Sequence, residues 1–248
     1  MKEFRIESVF GALTVLLLGV LVWQQNEIIG RLSGVGTPAP AAAAAAAPPP
    51  KAVPVIATVN ADLDLSTAAI RGTSTSDVVF LEFSDFQCPF CKRYVNDTYD
   101  QIGADYVDTG KLRYAFRQYP LDSLHPNAIN AALAATCAQR DGKFWQMHDK
   151  LFASQQALDL PSLLTYGAQV GANDAKYRSC LTGQETKGIV QADTDAALRL
   201  ELSGTPAFFV GRVGSDGKLH ATRRVMGAQP YKAFQMAIDE VLAGKSQE

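Results

Sequence analysis

Two cysteines, Cys88 and Cys91, are spaced so that both fall within one helical turn. They follow a short apolar run, Val78-Val79-Phe80-Leu81-Glu82-Phe83-Ser84, that reads as a buried strand. A thiol at the start of a helix faces unpaired backbone N–H groups and the positive end of the macrodipole, and both favour the thiolate. The pKa of Cys88 is therefore expected to be depressed. Cys91, one turn deeper, is close enough to close a small disulfide ring with it. The chemistry is redox, with Cys88 as the attacking sulfur and Cys91 as the resolving one. Pro89 suits the first helical position, where its missing N–H has no intrahelical partner to lose. Glu82 is a carboxylate in an otherwise apolar strand. Burial would raise its pKa, and a carboxylate beneath Cys91 would accept that thiol's proton; the alternative is a residue on the polar side of an alternating strand.

The strand, its glutamate, Cys88-Pro89-Phe90-Cys91 and a later Gly204-Thr205-Pro206 together resemble the DsbA-like branch of the thioredoxin superfamily, over roughly residues 55 to 244. The resemblance implies an α/β thioredoxin fold with an inserted all-helical domain. It implies an extracytoplasmic thiol:disulfide oxidoreductase that introduces disulfides into secreted or envelope proteins. The redox group would be the Cys88/Cys91 disulfide itself, with no separate cofactor and no metal. Pro206 would follow a cis peptide bond and pack against that disulfide, leaving the backbone of Thr205 free to pair with an extended substrate. The partners implied are reduced secreted proteins and a membrane redox partner of the DsbB or VKOR type. Phe90 departs from the pattern, because strongly oxidising relatives carry a histidine there that helps hold the thiolate. The helix start still favours the thiolate, so an oxidant is expected.

The chain of 248 residues is long enough for one or two domains, and with 47% hydrophobic residues it has the material for a core. Twenty-three basic residues against 25 acidic ones, a formal charge of −2, give no sign of nucleic-acid binding. Four cysteines fit two disulfides in an oxidising compartment. Residues Val9 to Trp23 form an uncharged, mostly apolar run preceded by Lys2 and Arg5, and no small-residue cleavage site follows it. The run is shorter than the roughly 20 residues of a usual span. An uncleaved single-pass signal anchor is expected over about 9–29 within residues 1–32, with a cleaved signal peptide as the alternative. The catalytic part would then lie on the periplasmic side of the cytoplasmic membrane, tethered through the Ala- and Pro-rich stretch 33–54.

The catalytic domain is expected over 55–248. A first edge strand is placed at Val53 to Val59, a short helix or loop at Leu63 to Arg71, and the active-site helix from Pro89 to about Tyr106, ended by Thr109-Gly110. Lys111 to Tyr119 alternates and is aromatic-rich, as a strand should be, which completes a β-α-β unit. From about 125 to 202 the pattern is helical throughout. Pro206 to Val210, a turn at Gly214 to Gly217, His220 to Met226 and a helix from Gln229 to Ala243 follow.

Cys137 and Cys180 fall in the helical stretch. They are compatible with a structural disulfide, two buried thiols or a second redox pair, and a zinc site built from all four cysteines is the remaining option. A secreted setting favours the structural disulfide, which would stabilise by several kcal/mol; some DsbA-like proteins resemble this in carrying an extra bridge there. His125, His148 and His220 show no ligand spacing, and His125 reads as a local cap or surface residue, so no catalytic histidine is assigned. Trp145 reads as core rather than a binding platform, and Lys92 and Arg93 as a solvated helix face, with added positive potential near Cys88 as the alternative. Two other functions are compatible with the residues. A disulfide reductase or isomerase would use the same pair, kept reduced by a membrane donor; a non-catalytic chaperone would use it as a staple. A glutathione-dependent transferase of related fold fits less well, since both sulfurs are present.

Overall fold

Every residue of the strand Val78–Ser84 is buried, as a strand covered on both faces must be, and the sheet is built outward from it. In chain order the strands of this computed structural model are β1 (Ile56–Leu63), β2 (Ala69–Arg71), β3 (Val78–Ser84), β4 (Arg113–Gln118), β5 (Ala207–Val213) and β6 (Leu219–Met226). They lie side by side as β1-β6-β5-β3-β4-β2. β4 runs parallel to β3 with Glu82 opposite Phe116, whereas β5 runs antiparallel with Glu82 opposite Phe208. The β5–β6 register shifts at Gly211, where an added Cβ would come within 2.0 Å of the His220 carbonyl oxygen. Only glycine fits so close an approach.

The structure describes residues 56–73 and 75–244. The anchor expected within 1–32 and the linker at 33–54 lie outside the described residues. Among the described residues no helix is long and apolar enough to cross a membrane.

The stretch Leu63 to Arg71 corrects its expectation of helix or loop. Ala69–Arg71 is a strand that pairs antiparallel with β4, Arg71 opposite Tyr114. Three residues are too few to show a period of two, so the strand exists through its pairing alone. The first strand runs to Leu63 rather than Val59, because pairing with β6 continues to Leu219.

The active-site helical run opens as α1 (Pro89–Tyr94) and widens into a π turn (Val95–Tyr99). It continues as α2 (Asp100–Ile102) and ends in a second π turn (Gly103–Val107), followed by Gly110 at φ 73°. This run and the last helix, α8 (Tyr231–Leu242), cover one face of the sheet, closing over Phe80, Tyr114, Phe208 and Phe234. The opposite face, with Leu81, Phe83 and Phe209, is covered by Ala196, Ala197 and Leu202.

Between β4 and β5 stand five helices, α3 (Ala128–Gln139), α4 (Phe144–Ala153), α5 (Leu160–Gln169), α6 (Asp174–Thr182) and α7 (Gln184–Arg199). Asp159 and Asn173 cap α5 and α6 by accepting from the backbone N–H of Ser162 and Lys176. α3 is buried along most of its length, and its alanines let the neighbouring helices approach closely. Cys137 of α3 and Cys180 of α6 form a disulfide with an S–S length of 2.04 Å. α7 is bound to the sheet through Asp193, whose buried carboxylate accepts from Arg117 Nε at 2.7 Å and from the Gln118 N–H at 2.9 Å.

Candidate active site

β3 ends at Ser84 and the chain turns through Asp85 to Cys88, where the Cys88 N–H donates to the Asp85 carbonyl at 3.1 Å. Asp85 holds this turn. Its carboxylate accepts from the N–H of Gln87 at 2.7 Å, from the N–H of Leu121 at 2.8 Å and from His125 Nδ1 at 2.7 Å. His125 is therefore neither a cap nor a free surface residue but a clamp on the active-site turn. A second clamp comes from the helical insertion. The buried Gln155 side-chain amide donates to the carbonyls of Phe86 at 2.8 Å and Cys88 at 3.0 Å.

Cys88 occupies the N-cap of α1, with Pro89 next. Both Cys88 and Cys91 are free thiols and both are buried, Cys88 at 3% exposure and Cys91 at 0%. Their acidities are driven apart. The Cys88 thiol is lowered from the ordinary 9.0 to about 6, chiefly by the hydrogen bond that the Cys91 thiol supplies to it. The N–H groups of Phe90 and Cys91 add to this against the cost of burial. The helix start thus contributes as its sequence implies, but the larger effect is the neighbouring thiol. Cys91 is raised well above 9.0, first by burial and then by donating that bond, with the nearby Glu82 adding to the rise.

Thr205 and Pro206 reach the same sulfur from the segment that leads into β5, beside the end of β3. The peptide bond between them is cis. The Thr205 carbonyl accepts from the Cys88 thiol at 3.5 Å, and the Thr205 side chain favours the thiolate. The loop after β6 braces this segment. The Gly227 N–H donates to the Pro206 carbonyl at 2.8 Å, and Arg93 donates to the Ala228 carbonyl at 3.1 Å. The Arg93 guanidinium also lies 5.2 Å over the Phe90 ring, so Arg93 is more than a solvated face residue. Phe90 itself is 54% exposed and forms the outer surface beside the buried thiols.

Glu82 is fully buried, so the polar-face alternative does not hold. Desolvation raises its carboxyl from 4.5 to about 7, opposed by Ser84, Tyr114 and Arg71. The Tyr114 hydroxyl donates to Glu82 Oε2 at 2.5 Å and lies 2.9 Å from the Tyr94 hydroxyl. Among the described residues Oε1 has no partner within hydrogen-bond geometry. This is a carboxyl group poised to gain or lose a proton at neutral pH.

The structure thus gathers Glu82, Cys88, Pro89, Phe90, Cys91, Thr205 and Pro206 around one point and leaves Cys137 and Cys180 elsewhere, in the insertion. Among the described residues no group of cysteine, histidine and acidic side chains could hold a metal ion. His148, buried among Phe86, Tyr99 and Phe152, has its pKa lowered by burial. Trp145 packs at the edge of this group, against Tyr114 and Phe144. Gln155, Asp85 and Arg71 went unrecognised from sequence. Asp85 stood inside the motif and was legible as a turn-former; Gln155 lies far along the chain beyond a helix end and carries no local signal.

Comparison with known proteins agrees with this geometry. The sequence model of a family described as Thioredoxin matches residues 64–240. The chain is 33% identical over 183 residues to the Na(+)/H(+) antiporter NhaA 3 of Salinispora tropica, covering 74% of this chain and 27% of that protein. It spans about a quarter of the length of the curated relatives it matches. Among solved structures, α-DsbA1 of Wolbachia pipientis superposes with a TM-score of 0.62 at 21% identity, over 73% of this chain and 94% of that one. Oxidised BdbD of Bacillus subtilis gives 0.64 at 20% identity, over 75% and 99%.

Proposed function

We infer, for a chain that belongs to the thioredoxin family and has its DsbA-like form, that Cys88 and Cys91 are a redox pair that introduces disulfides into other proteins. The observation that carries this reading is the opposed acidity of two thiols in one helical turn, Cys88 lowered to about 6 and Cys91 raised well above 9.0. A thiol that ionises below neutral pH is a good leaving group, and a dithiol that leaves readily makes its disulfide an oxidant.

In the oxidised enzyme a substrate thiolate attacks the Cys88 sulfur. The bond between Cys88 and Cys91 breaks, and Cys91 leaves and takes a proton from Glu82. The substrate's second thiolate attacks its own sulfur in the mixed disulfide, and Cys88 leaves as the stabilised thiolate. Two electrons pass from substrate to enzyme, and the substrate gains one disulfide. Thr205, with its backbone beside Cys88, pairs with the extended substrate chain. No cofactor beyond the disulfide is required. A membrane partner of the DsbB or VKOR type reoxidises the pair, and an N-terminal anchor holds the enzyme on the periplasmic side of the membrane. We attribute no ion transport to this chain on its likeness to part of an antiporter.

The test is transfer of disulfides to a reduced, unfolded protein. Oxidised enzyme is expected to consume the substrate's thiols with loss of its own disulfide, and Cys88→Ala to abolish the reaction. Substrate thiols that persist beside fully oxidised enzyme would overturn the reading.

A further inference from the structure

Arg71 stands where a sheet edge meets the buried side of the site. Its backbone lies opposite Tyr114 in the β2–β4 register. Its guanidinium carbon is 4.3 Å from the ring centre of Tyr99, 5.1 Å from that of Trp145 and 5.3 Å from that of Tyr114. The group also passes close to Gly103, where an added Cβ would come within 3.3 Å of Nη2. Among the described residues Arg71 makes no ion pair, and its Nε is buried without a hydrogen-bond partner. A cation in an aromatic slot with no ion pair among the described residues acts on charges further away, because the low dielectric screens it little; Asp149 and Asp100 also act on Tyr99.

On the side toward the thiols, the charge it acts on is Glu82. Tyr114 stands between them, its ring beneath the guanidinium and its hydroxyl on Glu82 Oε2. We propose that Arg71 is a positioning residue that favours Glu82 as a carboxylate, ready to take the Cys91 proton. The proposal rests on the redox-pair reading above.

The other groups around Glu82 do not replace this charge. Tyr94 and Tyr114 are raised well above 10.0, first by burial, and stay neutral. Tyr99 is likewise raised by burial. His148, in contact with Tyr99 and Trp145, is lowered by burial and so is not a second cation at neutral pH. Arg71 opposes the desolvation of Glu82 and also disfavours protonation of His148. Among the described residues it is the cation that acts on both Glu82 and His148.

The step Arg71 assists is the closing of the disulfide. With a mixed disulfide on Cys88, the Cys91 proton passes to the Glu82 carboxylate and the Cys91 sulfur attacks the Cys88 sulfur. The bond between them forms, and the other thiol leaves as a thiolate.

The aromatic disulfide 5,5'-dithiobis(2-nitrobenzoate) isolates this step. The reduced full-length protein releases one thionitrobenzoate as Cys88 attacks and a second as Cys91 resolves the adduct. The pH profile of the second phase, read against the first as an internal reference, reports Glu82. Arg71→Met is expected to move its inflection up by about one pH unit, the smaller end of what one neighbouring charge does. Arg71→Lys is expected to restore most of it, which a packing role for the guanidinium would not predict. Coincident second-phase profiles for wild type and Arg71→Met would overturn the proposal. Should Arg71→Met fail to fold, Arg71→Gln, which keeps a polar side chain without the charge, is read the same way, an upward shift supporting and coincidence overturning. A wild type that never releases the second thionitrobenzoate would instead refute the redox pair itself.

Discussion

The potential of the Cys88/Cys91 pair should change its pH dependence near pH 6. Reducing an ordinary disulfide takes up two protons with two electrons, and each proton contributes about 30 mV per pH unit to a two-electron couple. Cys91 is raised well above 9.0 and takes its proton at every pH of interest. Cys88, lowered from 9.0 to about 6, takes one only below that value. The slope is therefore expected to be about 59 mV per unit at low pH and to halve to about 30 mV above pH 6. Glu82 enters only so far as its acidity differs between the two redox forms.

Integrated to pH 7, the missing proton places the pair about 30 mV above one with ordinary thiols, or ~1.4 kcal/mol in favour of the reduced form. The sign follows from linkage. A thiol whose folded-state pKa is depressed stabilises the reduced protein fully above its unfolded value near 9.0, and that contribution is lost as pH falls through about 6. The assay equilibrates the protein with glutathione buffers from pH 5 to 8.5 and counts alkylated thiols by mass. A single slope of about 59 mV per unit through pH 8 would refute the argument. The magnitude also bears on direction. About 30 mV is small against the roughly 150 mV that separates thioredoxin from DsbA, so ionisation of Cys88 alone does not make a strong oxidant. A potential near the reductant end would favour the reductase or isomerase.

Phe90→His is expected to raise the potential. A charge-assisted hydrogen bond to the thiolate, worth roughly 1.5 to 3 kcal/mol, corresponds to about 30 to 60 mV; an unchanged potential in the same glutathione titration would mean that position 90 does not face the thiolate. Replacing Cys137 and Cys180 together by alanine removes a bridge that closes a separation of 43 residues. The expected loss is about 4 kcal/mol on urea unfolding, and a loss below about 1 kcal/mol would show that the helical insertion is held by its packing instead.

Elements with a strong local pattern were legible in the sequence. β3 is a continuous apolar run, and it was placed at its observed limits, Val78–Ser84. The insertion read as helical throughout because helix formers fill it; in the structure Gly142 and Gly171 at positive φ and the caps Asp159 and Asn173 mark the ends of its helices. The motif cysteines and the Thr205-Pro206 pair drew together because they resemble a known arrangement, not because local physics joins residues so far apart. What stayed hidden depends on pairing or packing across the fold. β2 is a strand only because β4 lies beside it. Gln155 acts on Cys88 only because the insertion folds back over the active-site turn. Arg71 read as the end of a loop until its strand placed it against Tyr114.

The two thiols take their opposed acidities from different parts of the fold. Cys88, at the outer end of its turn, is stabilised by its partner thiol, by the N–H groups of Phe90 and Cys91 and by Thr205, and its carbonyl is fixed by Gln155. Cys91, one turn inward, meets no water and shares its surroundings with Glu82, Ser84 and the tyrosines around them. Changes at Phe90 therefore act on the sulfur that meets substrate, and changes at Arg71 or Tyr114 on the sulfur that closes the ring. The hydrogen bond between the two thiols is where these effects meet. It lowers Cys88 and raises Cys91 at once, so a change that turned the Cys91 thiol away from Cys88 would narrow the gap from both sides. The rigidity of the turn, fixed by Asp85, His125 and Gln155, is for that reason part of the redox chemistry and not only of the fold.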